Sequence, residues 1–182
     1  MTDADEWWYQ MEIMVKSPVE LTRLILPSMR ARNSGTIIYT SSRVAKADLP
    51  WASAYNCAKT SITRFAGTLQ AELDALAKLD GKESGINAFS IHPGEVETQL
   101  HTTAFPEKTK QEAPYVIETM ERMSKSRPHF DASLSAWTCV YLAAGKGAIL
   151  KGRMIDCTRD IQEVEEDVRS KPKLMFTNSC GE

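Results

Sequence analysis

Two short runs limit most strongly what this chain can fold into. "TIIYTSS" (36–42) and "INAFSIHPG" (86–94) are apolar and rich in β-branched residues, with no polar alternation. Runs of that length are too short for helices, and continuous apolarity suits strands covered on both faces. Between them, residues 53–79 carry Ile62, Phe65, Ala66, Leu69, Leu73 and Leu76 at i, i+3, i+4, i+7 spacing, one apolar stripe on a long helix. Strand, helix, strand in that order predicts an α/β fold: a parallel sheet with helices on its faces.

The rest of the chain extends this pattern. In residues 4–30, Trp8, Met11, Val15, Leu21, Leu24 and Ile25 recur near the helical period, and Pro18 is expected to bend that helix. "RNSG" (32–35) stops it, as "LDGKESG" (79–85) stops the second helix. Residues 97–128 are polar, contain Pro106, Pro114 and Pro128, and predict a short helix near 114–124. A third helix follows over 131–144, a last strand over 150–157 ("LKGRMIDC"), and an acidic helix over 160–169; residues 170–182 read as a loose tail. The whole chain, 1–182, is expected to form one domain.

Composition narrows the function classes. With 42 % hydrophobic and 25 % charged residues and a net charge of −2, the chain has ordinary globular composition. No basic run marks a nucleic-acid surface. Cys57, Cys139, Cys157 and Cys180 are widely spaced without a C-x-x-C pair, which argues against zinc and for free thiols, with no metal site expected. No leader-like segment and no run of about 18 apolar residues occurs, so a soluble protein of the reducing cytoplasm, without a membrane partner, is expected.

In parallel sheets, ligands bind beyond the carboxyl ends of the strands. Ser42 closes the first strand, His92-Pro93-Gly94 close the second, and Tyr55 and Lys59 open the helix between them, sharing one face at i and i+4. A lysine ammonium and a helix N-terminus both favour a phenolate, so they are expected to lower the tyrosine pKa from near 10. A tyrosine tuned that way can give a proton to a carbonyl oxygen or take one from an alcohol. Ser42 could hold that same oxygen by a hydrogen bond. Tyr-x-x-x-Lys alone is a weak signal; Ser42 lying 13 residues before it and Pro93 lying 38 after it, each at a predicted strand end, make it specific.

These segments resemble the C-terminal part of the short-chain dehydrogenase/reductase family: "GTIIYTSS", "YNCAK", "INAFSIHPGEVETQL" and "LKGRMIDC", over about residues 6–165. The ending "LKGRMIDCTRDIQEVEE" is most similar to fungal members. The resemblance implies an incomplete Rossmann-like, doubly wound sheet. It implies Ser42, Tyr55 and Lys59 as catalytic residues, and Tyr55, Lys59, Pro93, Gly94, Val96 and Thr98 as the side that binds NAD or NADP. It implies a variable substrate loop at 97–128, and homo-oligomer contacts through helices 4–30 and 53–79. Two features depart from the family pattern. No counterpart of its N-terminal glycine-rich phosphate turn is present, since no glycine precedes Gly35. In the family's W-x6-N-x3-P pattern, Trp7 and Pro18 match, but Met14 replaces the asparagine that supports a proton relay.

Three functional readings stand on these residues. The first is an oxidoreductase moving a hydride between NAD(P)(H) and a carbonyl or alcohol of a small metabolite, with Tyr55 as general acid/base; the cofactor carries the hydride chemistry. The second is a non-redox isomerase, dehydratase or cyclase using Tyr55 and Lys59. The third is a non-catalytic chain that pairs with a complete family subunit. Nucleotide binding separates the first from the others, and the effect of Tyr55→Phe separates the second from the third.

Overall fold

The computed structural model describes residues 3–96, 98 and 107–172. Helix α1 (Ala4–Met11) runs through a π-helical turn (Glu12–Lys16) into α2 (Ser17–Arg32). Strand β1 (Gly35–Thr40) follows, then α3 (Ser53–Leu79) and β2 (Ile86–His92). Helices α4 (Glu107–Glu112), α5 (Pro114–Lys125) and α6 (Ala132–Ala143) lead to β3 (Met154–Asp156) and α7 (Ile161–Ser170). The three strands pair in parallel in the order β1-β2-β3, with Gly35 opposite Ile86 and Ser90 opposite Met154.

Strand periodicity divides the core in two. Ile37 and Tyr39 of β1 and Ile86 and Ala88 of β2 face α3, where Ile62, Ala66, Leu69 and Leu73 meet them, with Val19, Leu26 and Met29 of α2 alongside. Phe89 and Ile91 of β2 and Ile155 of β3 face the other way, onto Leu142 of α6 and Val164 and Val168 of α7. Helices thus cover both faces, the doubly wound arrangement that continuous apolar strands require.

Polar side chains lock these layers. Gln70 is buried within the α3 stripe; its Oε1 accepts the Ala88 N–H at 2.7 Å and its Nε2 donates to the Ile86 carbonyl at 3.2 Å. That pairs β2 backbone groups that the short β3 does not reach. Thr22 Oγ1 donates to the Pro18 carbonyl at 2.7 Å and accepts the Tyr39 hydroxyl at 2.6 Å, joining α2 to β1. Asn33 ends α2 at φ 46°, and its side chain bonds both Glu83 O and Gly85 N. A Cβ at Gly85 would stand 2.0 Å from the Asn33 carbonyl oxygen, so only glycine admits this approach of the two loops.

Three expectations are corrected. The irregularity in the first helix lies at Glu12–Lys16, ahead of Pro18, which sits in the first turn of α2. Pro18 has no N–H for the residue 14 carbonyl, and Ser17 sends both its N–H and its hydroxyl (3.0 Å) to the Glu12 carbonyl, widening the turn. Second, α4 precedes the expected helix; its "EKTKQE" sequence has no apolar stripe to betray it. Third, the last strand is only three residues long. Gly147 and Gly152, both at positive φ, bracket a single 3₁₀ turn (Ala148–Leu150) where strand was expected to begin. Residues 173–182, with Cys180, lie outside the described residues.

Candidate active site

Ser41 and Ser42 leave β1 in opposite roles. The Ser41 hydroxyl is buried against α3, within 2.5 Å of Thr63 Oγ1 and 3.2 Å of the Lys59 carbonyl, and so fixes the strand end to the helix. Ser42 is half-buried and faces the other way along the chain, capping the turn Arg43–Ala45 through a 3.4 Å contact from Val44 N. Its side chain is also near enough to the Tyr55 phenol to favour that group's deprotonation.

Tyr55 stands in the first turn of α3, whose N-terminus has no side-chain cap. Burial raises its pKa above the ordinary tyrosine value; the nearby Ser42 side chain opposes that, and the Glu95 carboxylate adds to it. This reverses the expected direction: the cost of burying a phenolate exceeds what the Ser42 side chain returns. Lys59 lies one turn on, its Nζ 5.5 Å from the Tyr55 ring centroid. That ammonium donates to the Thr40 carbonyl at 2.8 Å, and burial lowers its pKa. Ser42, Tyr55 and Lys59 therefore lie near one another at the carboxyl end of β1.

The segment after β2 forms the adjoining wall. Pro93 is half-buried and Gly94 is buried at φ +92°. A Cβ at Gly94 would meet Thr158 Cγ2 at 3.0 Å and the Phe130 ring at 3.1 Å, so conformation and packing both demand glycine. Val96 pairs with Phe130 in an isolated parallel bridge, and Phe130 N donates to the Glu95 carbonyl at 2.8 Å. Thr98 is exposed, and its neighbours Glu97, Gln99 and Leu100 lie outside the described residues. Met14 sits half-buried in the π-helical turn, which packs against α3, the helix that carries Tyr55 and Lys59. Trp7 Nε1 donates to Ser53 Oγ at 3.0 Å, tying α1 to the start of that helix.

A charged cluster beside the site was not anticipated. Glu95 pairs with Arg43 at 3.3 Å and with Arg127 at 3.0 Å, and its own carboxylate is largely buried. The link joins the residue after Ser42, the segment after Gly94 and the far end of the 97–128 region. Beneath it His92 is 3 % exposed with neither ring nitrogen hydrogen-bonded; burial leads the causes that hold its pKa low. The sequence signal was adjacency alone: Arg43 and Glu95 each follow a motif residue.

The family model for short chain dehydrogenases matches residues 1–109. A short chain dehydrogenase of Pseudocercospora fijiensis is 34 % identical over 171 residues, covering 93 % of this chain and 52 % of that protein. One from Monascus purpureus is 30 % identical over 95 % of this chain and 52 % of its own length. The chain spans about half the length of these curated relatives. Among solved structures, a short chain dehydrogenase/reductase of Saccharomyces cerevisiae superposes with a TM-score of 0.69 at 20 % identity, covering 87 % of this chain and 59 % of the other. The L-sorbose reductase of Gluconobacter frateurii, complexed with NADPH and L-sorbose, gives 0.63 at 23 % identity over 85 % of this chain and 57 % of its own. The chain belongs to the short-chain dehydrogenase/reductase family.

Proposed function

We propose that this chain carries the proton-transfer and nicotinamide-facing side of an oxidoreductase that interconverts a small-molecule carbonyl compound and its alcohol. The observation that carries this reading is the Lys59 ammonium 5.5 Å from the Tyr55 ring centroid and bonded to the Thr40 carbonyl at the end of β1, with the Ser42 side chain near the phenol. Two hydroxyls then converge on one substrate oxygen. Tyr55 gives its proton to that oxygen in the reductive direction and takes it back in the oxidative direction, while Ser42 holds the oxygen in place. With its pKa above the ordinary value, the phenol is protonated at neutral pH and ready to donate.

The residues present fit the nicotinamide half of NAD or NADP. Lys59 spends one N–H on Thr40 and keeps donors for ribose hydroxyls. Gly94 keeps the backbone of its segment close and free of side chain, and Pro93, Val96 and Thr98 extend that wall. Nothing among the described residues corresponds to a glycine-rich phosphate turn. When bound, the nucleotide supplies or accepts the hydride. NADPH-bound relatives of the fold, such as the L-sorbose reductase, support the choice of cofactor class.

The decisive experiment is titration of the 182-residue chain with NADPH and NADH, followed by assay of carbonyl reduction for wild type and Tyr55→Phe. Saturable binding with turnover that falls by about 100-fold or more in the variant supports the reading. Absence of nucleotide binding, or unchanged turnover in Tyr55→Phe, overturns it. Self-association through α1, α2 and α3 in the cytoplasm belongs to the same proposal; Trp8, Leu21 and Leu24 are each more than half exposed on the first two helices.

A further inference from the structure

Trp51 is the residue that the fold holds most awkwardly near the reacting groups. It lies in the connection between Ser42 and Tyr55, and its backbone is left-handed at φ +62°, a rare state for a bulky side chain. The connection is pinned on either side of it. Ala52 N donates to the Leu49 carbonyl at 3.4 Å, Asn56 Nδ2 donates to that same carbonyl at 3.3 Å, and Asn56 N bonds Ala52 O at 2.8 Å. The strained ring is not used to fill the core, because Trp51 is 52 % exposed. It meets Tyr115, the second residue of α5, at 6.2 Å between centroids and 76° between planes; Tyr115 is 57 % exposed. An edge-to-face pair so exposed forms a corner with open ring faces, the geometry that accepts a third ring.

Two contacts tether the chain around α5 to the segments that flank the site. Trp51–Tyr115 joins the Ser42–Tyr55 connection to the start of α5. Arg127–Glu95 joins the chain just after α5 to the segment following Gly94. Helix α5 is therefore tied at its start to the connection that leads into Tyr55, and just past its end to the segment that leaves β2. Backbone strain held in place by its surroundings, yet serving no buried packing, is the kind of feature that accompanies ligand contact.

We propose that Trp51 and Tyr115 form an aromatic subsite that seats a planar ring of the substrate, which makes the substrate class an aryl carbonyl compound or the corresponding alcohol. The inference rests on the reading of Ser42 and Tyr55 as the groups that hold the reacting oxygen. The rings contribute stacking area at low entropic cost, and they select for planarity rather than for any one substituent.

The test compares two methyl ketones with one carbon skeleton, 2-acetylnaphthalene and 2-acetyldecalin, the first planar and the second puckered. Binding to the 182-residue chain is measured by ligand-observed NMR with and without saturating NADPH. The expected result is a preference of about ten-fold for the planar ketone. Trp51→Ala and Tyr115→Ala bring the two affinities together, whereas Trp51→Phe and Tyr115→Phe keep the preference. Both positions are exposed, and circular dichroism checks that each variant folds. Equal affinities in the wild type, no binding of either ketone, or a preference that survives both alanine variants overturns the subsite. Loss of nucleotide binding with the planar preference intact overturns the hydride reading and supports the subsite on its own.

Discussion

The surroundings of Tyr55 set opposing demands. Burial and Glu95 push its pKa up, while Ser42 pulls it down. Glu95→Gln removes one of the upward pushes and frees Arg43 and Arg127 from their shared carboxylate. Both changes favour the phenolate, so the variant is expected to titrate Tyr55 at lower pH, read by phenolate ultraviolet absorbance against Tyr55→Phe. The linkage to stability has a definite sign. A raised phenol pKa contributes stability that is fully present below pH 10 and is lost as pH climbs through the folded value above it. Tyr55→Phe is therefore expected to move the alkaline unfolding midpoint upward. Lys59 runs the other way: its lowered pKa contributes stability present above 10.5 and lost as pH falls through the folded value. Cysteine reactivity is set just as locally. Cys157 is 1 % exposed with its thiol pushed up to about 12, whereas Cys57 is exposed on α3 between Tyr55 and Lys59. Iodoacetamide at pH 8 is expected to label Cys57 first and to leave Cys157 unmodified until the chain unfolds, as read by peptide mass spectrometry.

Helix α3 unites the core and the site. Its inward stripe of Ala58, Ile62, Ala66, Leu69 and Leu73 lets the helix lie close on β1 and β2, and that contact fixes where its first turn, with Tyr55, meets Ser42. Leu69→Ala is expected to cost about 2–5 kcal/mol in chemical denaturation, because a side chain 4 % exposed leaves a cavity between helix and sheet. Gln70→Leu keeps the size but strands the Ala88 N–H, and is expected to cost about 1–3 kcal/mol. At the end of β2, Gly94→Ala is expected to cost about 1–3 kcal/mol from its φ alone, before Thr158 and Phe130 are displaced. A larger loss of nucleotide affinity than of stability in that variant would mark the segment as a cofactor wall.

At the scale of the molecule, the described sheet has three strands, and β1 and β3 are its outer members. Apolar side chains face outward from the first two helices and from α6, where Trp137 is 70 % and Val140 55 % exposed. Surface of this kind favours association. Light scattering of the chain is expected to show a concentration-dependent increase in mass, reduced by Leu24→Glu on α2; a strict monomer at all concentrations would remove the oligomer from the proposal. No helix of the described residues is long and apolar enough to cross a membrane. The sequence by itself determined the strand–helix alternation, the parallel sheet and the positions of Ser42 after β1 and of Tyr55 and Lys59 in the first turns of α3. Periodicity and i, i+4 spacing are local, and each strand end is written in adjacent residues. Tertiary structure alone decided the direction of the Tyr55 pKa, the Glu95 link to Arg43 and Arg127, the bonds of Gln70 to β2, and the meeting of Trp51 with Tyr115. Each of those depends on burial or on residues far apart in the chain brought together across the sheet edge, and neither quantity exists before the layers have packed.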